Sequence, residues 1–569
     1  MSDETAATNA AEWPLRPWLL AGLLGLAGLL IHLVTGDSDD VPWQVAVGAF
    51  LFFGSIAAAF TLEEGRWKEP AIFAVVVGLV MAGLAWRAAP AEQYSPDEQY
   101  GFAAGVVATA LALPLFQAGF LKTRLRTSYP EIYHHVWTDA ISAAGALLFT
   151  GISWIVLALM ANLFDLLKFH FLLDVMDEGW FGWTFSGLAA GAALGTIRNQ
   201  LKILATMQTV VLLVASLLAV PLAVGLVLFL LATAVSGPQV LWDATRSATP
   251  LLLACAAGSF VLANAIARQD DEAMTRNRVM RIAGWTLAAV ILPLAVFAAV
   301  SMGLRLNQYG LSPERLWGLV AIIVAVACGA IYWLALIRGR KAGWAAKVRL
   351  STFHFGLFVC GLAIVLALPI VSFSGISANN QVARLQSGKV SVDEFDFAAL
   401  RWDFGDAGKR ALRRLQRSDD AKVAELATAA LSQTERVYSS FEPTVRAQSD
   451  FNLRVQPDDP ELRRLVLAHL SGNPWQCNER CVALDLGTDQ FGGRRVAIVQ
   501  GAGYEVVVVK PGQSASRLPE AAAAAVRLED SSTVEVREVP KRYVFIDGKP
   551  VGPPLEEPTA TLEGQPAAR

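Results

Sequence analysis

Apolar residues in this chain come in long, almost unbroken runs, not in the three-and-four rhythm of a helix with one wet face. A helix needs about 20 apolar residues to cross the hydrocarbon layer of a bilayer. Eleven runs approach or exceed that length: 18–34, 43–61, 71–86, 101–120, 140–163, 181–197, 204–235, 250–267, 282–304, 316–337 and 353–371. None contains Asp, Glu, Lys or Arg, as expected where a charge at the bilayer centre costs roughly 2.5–3.5 kcal/mol. The run 181–197 is short and rich in glycine. The run 204–235 is too long to stand upright, and with Pro221 near its middle it predicts one kinked, tilted helix instead of a hairpin without a polar turn.

The connecting segments bear on that count. Taken alternately along eleven spans, those on one side hold 17 Lys and Arg and those on the other hold 5. The rich side includes Arg66, Lys68, Lys122, Arg124, Arg126, the arginines at 268, 276, 278 and 281, and Arg338, Arg340, Lys341, Lys347 and Arg349. If 181–197 did not cross, the bias would vanish unless 204–235 crossed twice in its place; both arrangements give eleven spans and the same sidedness. By the positive-inside rule the rich side is cytoplasmic, which puts the N-terminal tail 1–17 inside and everything after Val371 outside. The tail holds Asp3, Glu4 and Glu12 against Arg16 and closes on no small-x-small cleavage pattern, so the first run is expected to be an uncleaved helix.

Charge density changes where the runs end. Residues 1–371 carry 22 Lys and Arg with 23 Asp and Glu, and the remaining 198 carry 25 with 27. The expected class is mainly α: a polytopic bundle over 18–371, followed by an extracytoplasmic helical segment at 372–440. A linker at 441–460, a small extracytoplasmic α/β domain at 461–551 and a disordered tail at 552–569 complete it. A net charge of −3 gives no reason to expect nucleic acid. The bilayer is the expected partner, with an envelope protein or polymer reached through 372–551.

Gly187, Gly191 and Gly195 fall on one helical stripe, a device that lets two backbones approach, within the bundle or across a homodimer. Gly101 and Gly105 repeat it once. Inside the spans only His32, Gln208, Asn264 and His354 stand out as polar, each expected to bond a neighbouring helix. The lack of a carboxylate there argues against a proton-driven pump. Cys255, Cys328 and Cys360 are expected to be apolar packers.

Three connections on the poorly basic side are rich in polar residues. The first holds Asp165, Lys168, His170, Asp174, Asp177 and Glu178, with an Asp165–Lys168 pair three apart. The second, Gly237 to Arg246, contains Trp242 and an Asp243–Arg246 pair. In the third, Ser312 is a good N-cap, Pro313 fits the first helical position and Glu314 suits the dipole, whereas Arg315 needs a partner. Gathered on one face, Asp165, Lys168, Asp243, Arg246, Arg305 and Arg315 would make a polar pocket at the outer interface; apart, they are interfacial anchors.

Tyr309-Gly-Leu-Ser-Pro-Glu-Arg315-Leu-Trp317, Gly237-Pro-Gln-Val-Leu-Trp-Asp243 and Gln381-Val-Ala-Arg384-Leu-Gln-Ser-Gly388-Lys-Val resemble stretches of a bacterial multi-pass membrane family known as domain of unknown function 4153. Asp396-Phe-Ala-Ala-Leu-Arg401 and Gly405-Asp-Ala-Gly408 extend the resemblance, which covers roughly residues 130–415. It implies a bacterial envelope protein and supplies no catalytic residue.

Beyond Val371, Arg410, Arg413, Arg414 and Arg417 form a basic face, read as solvated, with anionic headgroups or an envelope polymer as the alternative. In the last domain a helix is predicted at 462–470 and strands at 482–486, 495–499 and 505–509. A helix at 519–526, strands at 533–539 and 543–546 and an Asp547-Gly548 hairpin turn follow. Cys477 and Cys481 are expected to pair in an oxidising space. His469 beside them lacks a zinc ligand set, and Asp485-Leu-Gly-Thr-Asp489 offers too few oxygens for calcium. No catalytic residue, metal or cofactor is expected. The leading functional expectation is a non-enzymatic sensing or assembly component with an outward binding domain, and its rival is a permease or lipid-handling protein using the outer-face pocket.

Overall fold

In a computed structural model the chain is described over residues 13–36, 41–89, 96–237, 248–340, 343–433, 451–472, 476–477, 480–488, 493–500, 503–509, 542–546 and 549–555. It divides into two compact units, Met1–Arg436 and Val437–Arg569.

The first unit is helical. Its long helices are α1 (Arg16–Thr35), α2 (Pro42–Thr61), α3 (Lys68–Ala88), α4 (Pro96–Gln117) and α5 (Tyr129–Asp165). After the short α6 (Phe171–Asp177) come α7 (Gly179–Asn199), α8 (Leu201–Ser236), α9 (Ala248–Ala267), α10 (Arg278–Tyr309), α11 (Pro313–Gly339) and α12 (Trp344–Ala367). Ten of these are long and apolar enough to cross a membrane. The exception is α7, whose glycines, Ser and Thr lower its mean hydropathy although it is 21 residues long. As expected, the residues around Pro221 form one continuous helix. Leu147, Leu159 and Ile337 are each more than 60% exposed, a distribution that suits a hydrocarbon surround better than water.

The glycine stripe shows how α7 lies. A Cβ on Gly187 would run into the carbonyl of Leu24, one on Gly191 into that of Leu20, and one on Gly195 into Pro17. From the other side, Gly25 faces Leu188 and Gly28 faces Trp183. Rising numbers on α1 therefore meet falling numbers on α7, and the two run antiparallel over the whole of α1. Whatever thickness α1 crosses, α7 crosses too. Contacts at the helix ends fit the same alternation for α2, α4, α11 and α12. At one end Asn199 donates to the Trp13 carbonyl (2.6 Å), Arg198 to that of Ala59 (2.6 Å) and Gln117 to that of Phe60 (2.7 Å). At the other, Tyr100 stacks on Trp317 with ring centres 5.2 Å apart, and Trp317 meets Phe373 at 5.0 Å.

Four further helices follow: α13 (Phe373–Gln386), α14 (Phe397–Trp402), α15 (Gly405–Leu415) and α16 (Ala421–Ser432). They share a core of Ala378, Leu385, Leu400, Leu412, Leu415 and Ala427. Asp396 caps α14 and Asp420 caps α16 through backbone N–H groups, as short polar side chains do at helix starts.

In the second unit, β1 (Asn452–Gln456) lies parallel to β2 (Arg480–Thr488), and β3 (Arg494–Gln500) and β4 (Gly503–Val509) extend the sheet antiparallel in the order β1-β2-β3-β4. Helix α17 (Pro460–Gly472) makes the crossover that a parallel pair requires. It buries Leu462, Val466 and Leu470, spaced four apart, against Leu453, Val455, Ala483, Val496 and Ile498. Here the expected linker at 441–460 gives way: β1 falls inside it, because Leu453 and Val455 alternate with polar neighbours and supply the sheet with a buried face. Strand β5 (Arg542–Ile546) pairs antiparallel with β6 (Lys549–Leu555), Ile546 opposite Lys549. Strand β6 carries order into the first residues of the expected disordered tail. The expected turn at 547–548, helix at 519–526 and strand at 533–539 lie outside the described residues.

Candidate functional site

At the α10–α11 corner, Gly310 takes φ +75°, and a Cβ there would collide with Arg384 and Gln381 of α13. Into this corner Gln381 donates to the carbonyls of Tyr309 (3.0 Å) and Leu311 (2.8 Å), and Arg384 to those of Asn307 (3.3 Å) and Gln308 (2.7 Å). Asn380 Oδ1 accepts from the Leu311 N–H at 3.0 Å. The C-terminal carbonyls of α10, left without partners inside their own helix, are thus satisfied by α13. Asp97 at the start of α4 accepts from the Ser372 hydroxyl (2.8 Å) and the Ser374 N–H (3.0 Å). The helical segment after the bundle is therefore bolted to it.

Two motifs that stand 70 residues apart in sequence meet in this joint. A family model described as Domain of unknown function (DUF4153) matches residues 25–415. The chain belongs to the DUF4153 family. The match runs from α1 to the end of α15, so the family domain comprises the bundle and most of its appended helices, and the β-sheet unit lies beyond it. No curated protein and no solved structure matches the chain.

Next to the joint, this DUF4153 domain holds a cavity of about 480 Å³ lined by Gly375, Ala378 and Asn379 of α13 and Ala407, Arg410 and Arg414 of α15. Its walls are small residues, and its polar groups are the Asn379 amide and two guanidiniums one helical turn apart. Arg414 Nη2 donates to Asn379 Oδ1 at 3.0 Å. A second cavity of about 340 Å³, between α9, α10, α11 and α12, is lined by apolar groups that include Phe260, Ile291, Cys328 and Phe355.

The residues proposed for an outer-face pocket occupy two corners. Asp165 meets His170 Nδ1 at 2.6 Å at the α5–α6 turn. The expected Asp165–Lys168 pair does not form: α5 ends at Asp165, and Lys168 adopts a left-handed φ of +63°, so the helical spacing on which the pair depends is lost. Arg305 and Arg315 lie together at the α10–α11 corner. Arg315 Nη1 donates to the Gly310 carbonyl at 2.9 Å and its guanidinium lies 5.4 Å from the Tyr309 ring centre, while Ser312 and Pro313 take the N-cap and first-turn places. Asp243 and Arg246 lie outside the described residues.

At the opposite end the structure presents polar groups that sequence reasoning passed over. The apolar run 140–163 starts one residue after Asp139, yet α5 begins at Tyr129 and carries Asp139 into the bundle, where it is 9% exposed. Its Oδ1 accepts from Gln117 at 3.3 Å, and its Oδ2 and the buried Ser142 hydroxyl have no hydrogen-bond partner among the described residues. At 37 residues, α5 extends about 55 Å, longer than the hydrocarbon layer, and this length was the missed signal. Nearby, Asn264 donates to Tyr332 (2.7 Å) and accepts from Thr352 (3.0 Å), joining α9, α11 and α12. Arg349, 7% exposed, reaches across to the Ala267 carbonyl (2.9 Å) and Asp271 (2.8 Å). Among the described residues no cluster of His, Cys, Asp and Glu is arranged to hold a metal.

In the β-sheet unit, Cys477 and Cys481 are joined by a disulfide across Cα atoms 5.4 Å apart. Beside it, His469 Nε2 lies 2.6 Å from Gln476 Oε1, and Gln476 donates to Glu505 at 2.9 Å. Burial holds the His469 imidazole below its ordinary value. Arg494 bridges Asp459 and Asp485. Asp459 is held below the usual carboxylate range, first by the Leu462 backbone N–H and then by Arg494.

Proposed function

We propose that this DUF4153 protein is a non-enzymatic component of a bacterial cytoplasmic membrane. It carries α13–α16 and the β-sheet unit on the extracytoplasmic side for envelope sensing or assembly. The observation that carries the reading is the charge asymmetry between the two sets of connections, 17 basic residues against 5 when they are taken alternately along the eleven expected spans. The set that includes the N-terminal tail is the cytoplasmic one. The Cys477–Cys481 disulfide supports the same sidedness, since such bonds persist in oxidising compartments. The division of the described outer-face candidates between two corners favours anchoring over a transport pocket.

Orientation is tested by placing a cysteine at the exposed Arg464 and treating intact spheroplasts with an impermeant thiol reagent. Labelling before lysis is expected, and protection until lysis overturns the reading. Crosslinking in membranes should recover an envelope component bound through residues 372–551. Recovery of none, together with a normal envelope in a deletion strain, removes the sensing or assembly role.

A further inference from the structure

We propose that the cavity between α13 and α15 binds the phosphodiester headgroup of an anionic phospholipid from the leaflet at that end of the bundle. This inference requires that the bundle cross a bilayer and is independent of which way it faces.

The cavity is built for a large anion. Gly375, Ala378 and Ala407 keep its walls low, and Arg410 and Arg414 bring two guanidiniums to one side of it. A guanidinium presents paired N–H groups that match two oxygens of a phosphate. Among the described residues no carboxylate forms an ion pair with Arg410, Arg413, Arg414 or Arg417. The single acid on α15, Asp406, is paired with Lys409 at 3.5 Å. The neighbouring Asp393 is taken by Lys422 and Asp97 by Ser372 and Ser374. Helix α15 thus turns Ala411, Leu412 and Leu415 inward and leaves a cationic face with no ion-paired carboxylate among the described residues.

The second observation is apolar. Between the end of α12 and the cavity wall at Gly375, Leu368, Ile370 and Val371 are 47%, 67% and 41% exposed, and Ile376, adjacent to Gly375, is 46% exposed. These residues follow directly from a membrane-crossing helix, so they lie at the level where acyl chains meet headgroups. A phosphate with an attached hydrocarbon satisfies both surfaces at once. Inorganic phosphate would satisfy the arginines and leave Ile370, Val371 and Ile376 uncovered.

The test uses the full chain in nanodiscs of phosphatidylcholine containing a minor fraction of phosphatidylglycerol, followed by native mass spectrometry of the lipid retained on release. Phosphatidylglycerol is expected to be retained in preference to phosphatidylcholine. Retention should fall about tenfold in the Arg410→Ala/Arg414→Ala variant, the scale set by losing charge-assisted hydrogen bonds, and hold in Arg417→Ala, whose side chain lies outside the cavity. Arg410 makes no hydrogen bond or ion pair among the described residues, so Arg410→Ala alone, expected to reduce retention, separates ligand loss from misfolding. Equal retention in the wild type and these variants overturns the proposal, as does equal retention of the two lipids. Displacement of the lipid by millimolar inorganic phosphate also overturns it, by identifying the ligand as a free anion.

Discussion

Arg198 of α7 donates through Nη1 to the carbonyl oxygen of Ala59 in the last turn of α2, 2.6 Å away. The final carbonyls of a helix have no partner in their own ladder, and a cation there also meets the negative end of the helix dipole. Gln117 of α4 serves the next carbonyl, Phe60, at 2.7 Å. One helix end is therefore closed by side chains from two others. Arg198→Ala should lower the stability of the detergent-solubilised protein by about 2 kcal/mol, the scale of a charge-assisted hydrogen bond, read as a lower melting temperature. Arg198→Lys should recover part of the loss.

The α1–α7 seam predicts a sharp contrast between glycines. Gly191→Ala places a methyl group against the Leu20 carbonyl, whereas a Cβ on Gly22 meets nothing within 4 Å. The first should destabilise by about 1–3 kcal/mol through overpacking, and Gly22→Ala should be neutral or slightly stabilising through helix propensity. Thermal unfolding of both variants in the same detergent makes the comparison.

Tyr332 is fully buried and its hydroxyl is shared between Asn264 and Thr352, each at 2.7 Å. Tyr332→Phe removes one member and leaves its partners short of a bond, a loss of about 1–3 kcal/mol. Asn264→Ala combined with Tyr332→Phe should cost less than the sum of the two, because they share one network. Additive losses would show the residues to be energetically independent.

Acid should weaken the β-sheet unit in two stages. Burial depresses the His469 pKa, so below the ordinary histidine value the unfolded chain takes up a proton that the folded chain resists, and stability falls as pH drops. Asp459 is also depressed; its contribution is full above the ordinary carboxylate range and is lost as pH falls through that range. Melting of this unit within the full chain should therefore shift downward from pH 7 to pH 5. His469→Gln should flatten that first slope and retain the second.

The disulfide closes a short loop, Cys477 to Cys481. Loop-closure entropy for so few residues is worth about 2 kcal/mol. Alkylation of protein unfolded without reductant should modify only Cys255, Cys328 and Cys360, and reduction should expose two more thiols. A Cys477→Ser/Cys481→Ser variant should melt at lower temperature.

The amino-acid sequence by itself determined where the long helices lie, since only uninterrupted apolar runs satisfy a hydrocarbon surround. It also determined the single helix through Pro221 and the alternating strands around Val482, Val496 and Val507, because these follow from local hydropathy and period. Tertiary structure decided what those elements meet. Gly187, Gly191 and Gly195 announced a close approach, but only packing chose α1 as the helix approached. Arg198 and Arg349 counted in the sequence as loop charges, yet each reaches across to close another helix's end, and Asp139 looked like loop until the length of α5 drew it inside. The cationic cavity needed both α13 and α15 in place. Hydropathy is a property of neighbours in the chain, whereas a hydrogen bond between Gln381 and Tyr309 or a cavity lined by Gly375 and Arg410 joins residues tens of positions apart, and nothing local encodes which distant group will arrive.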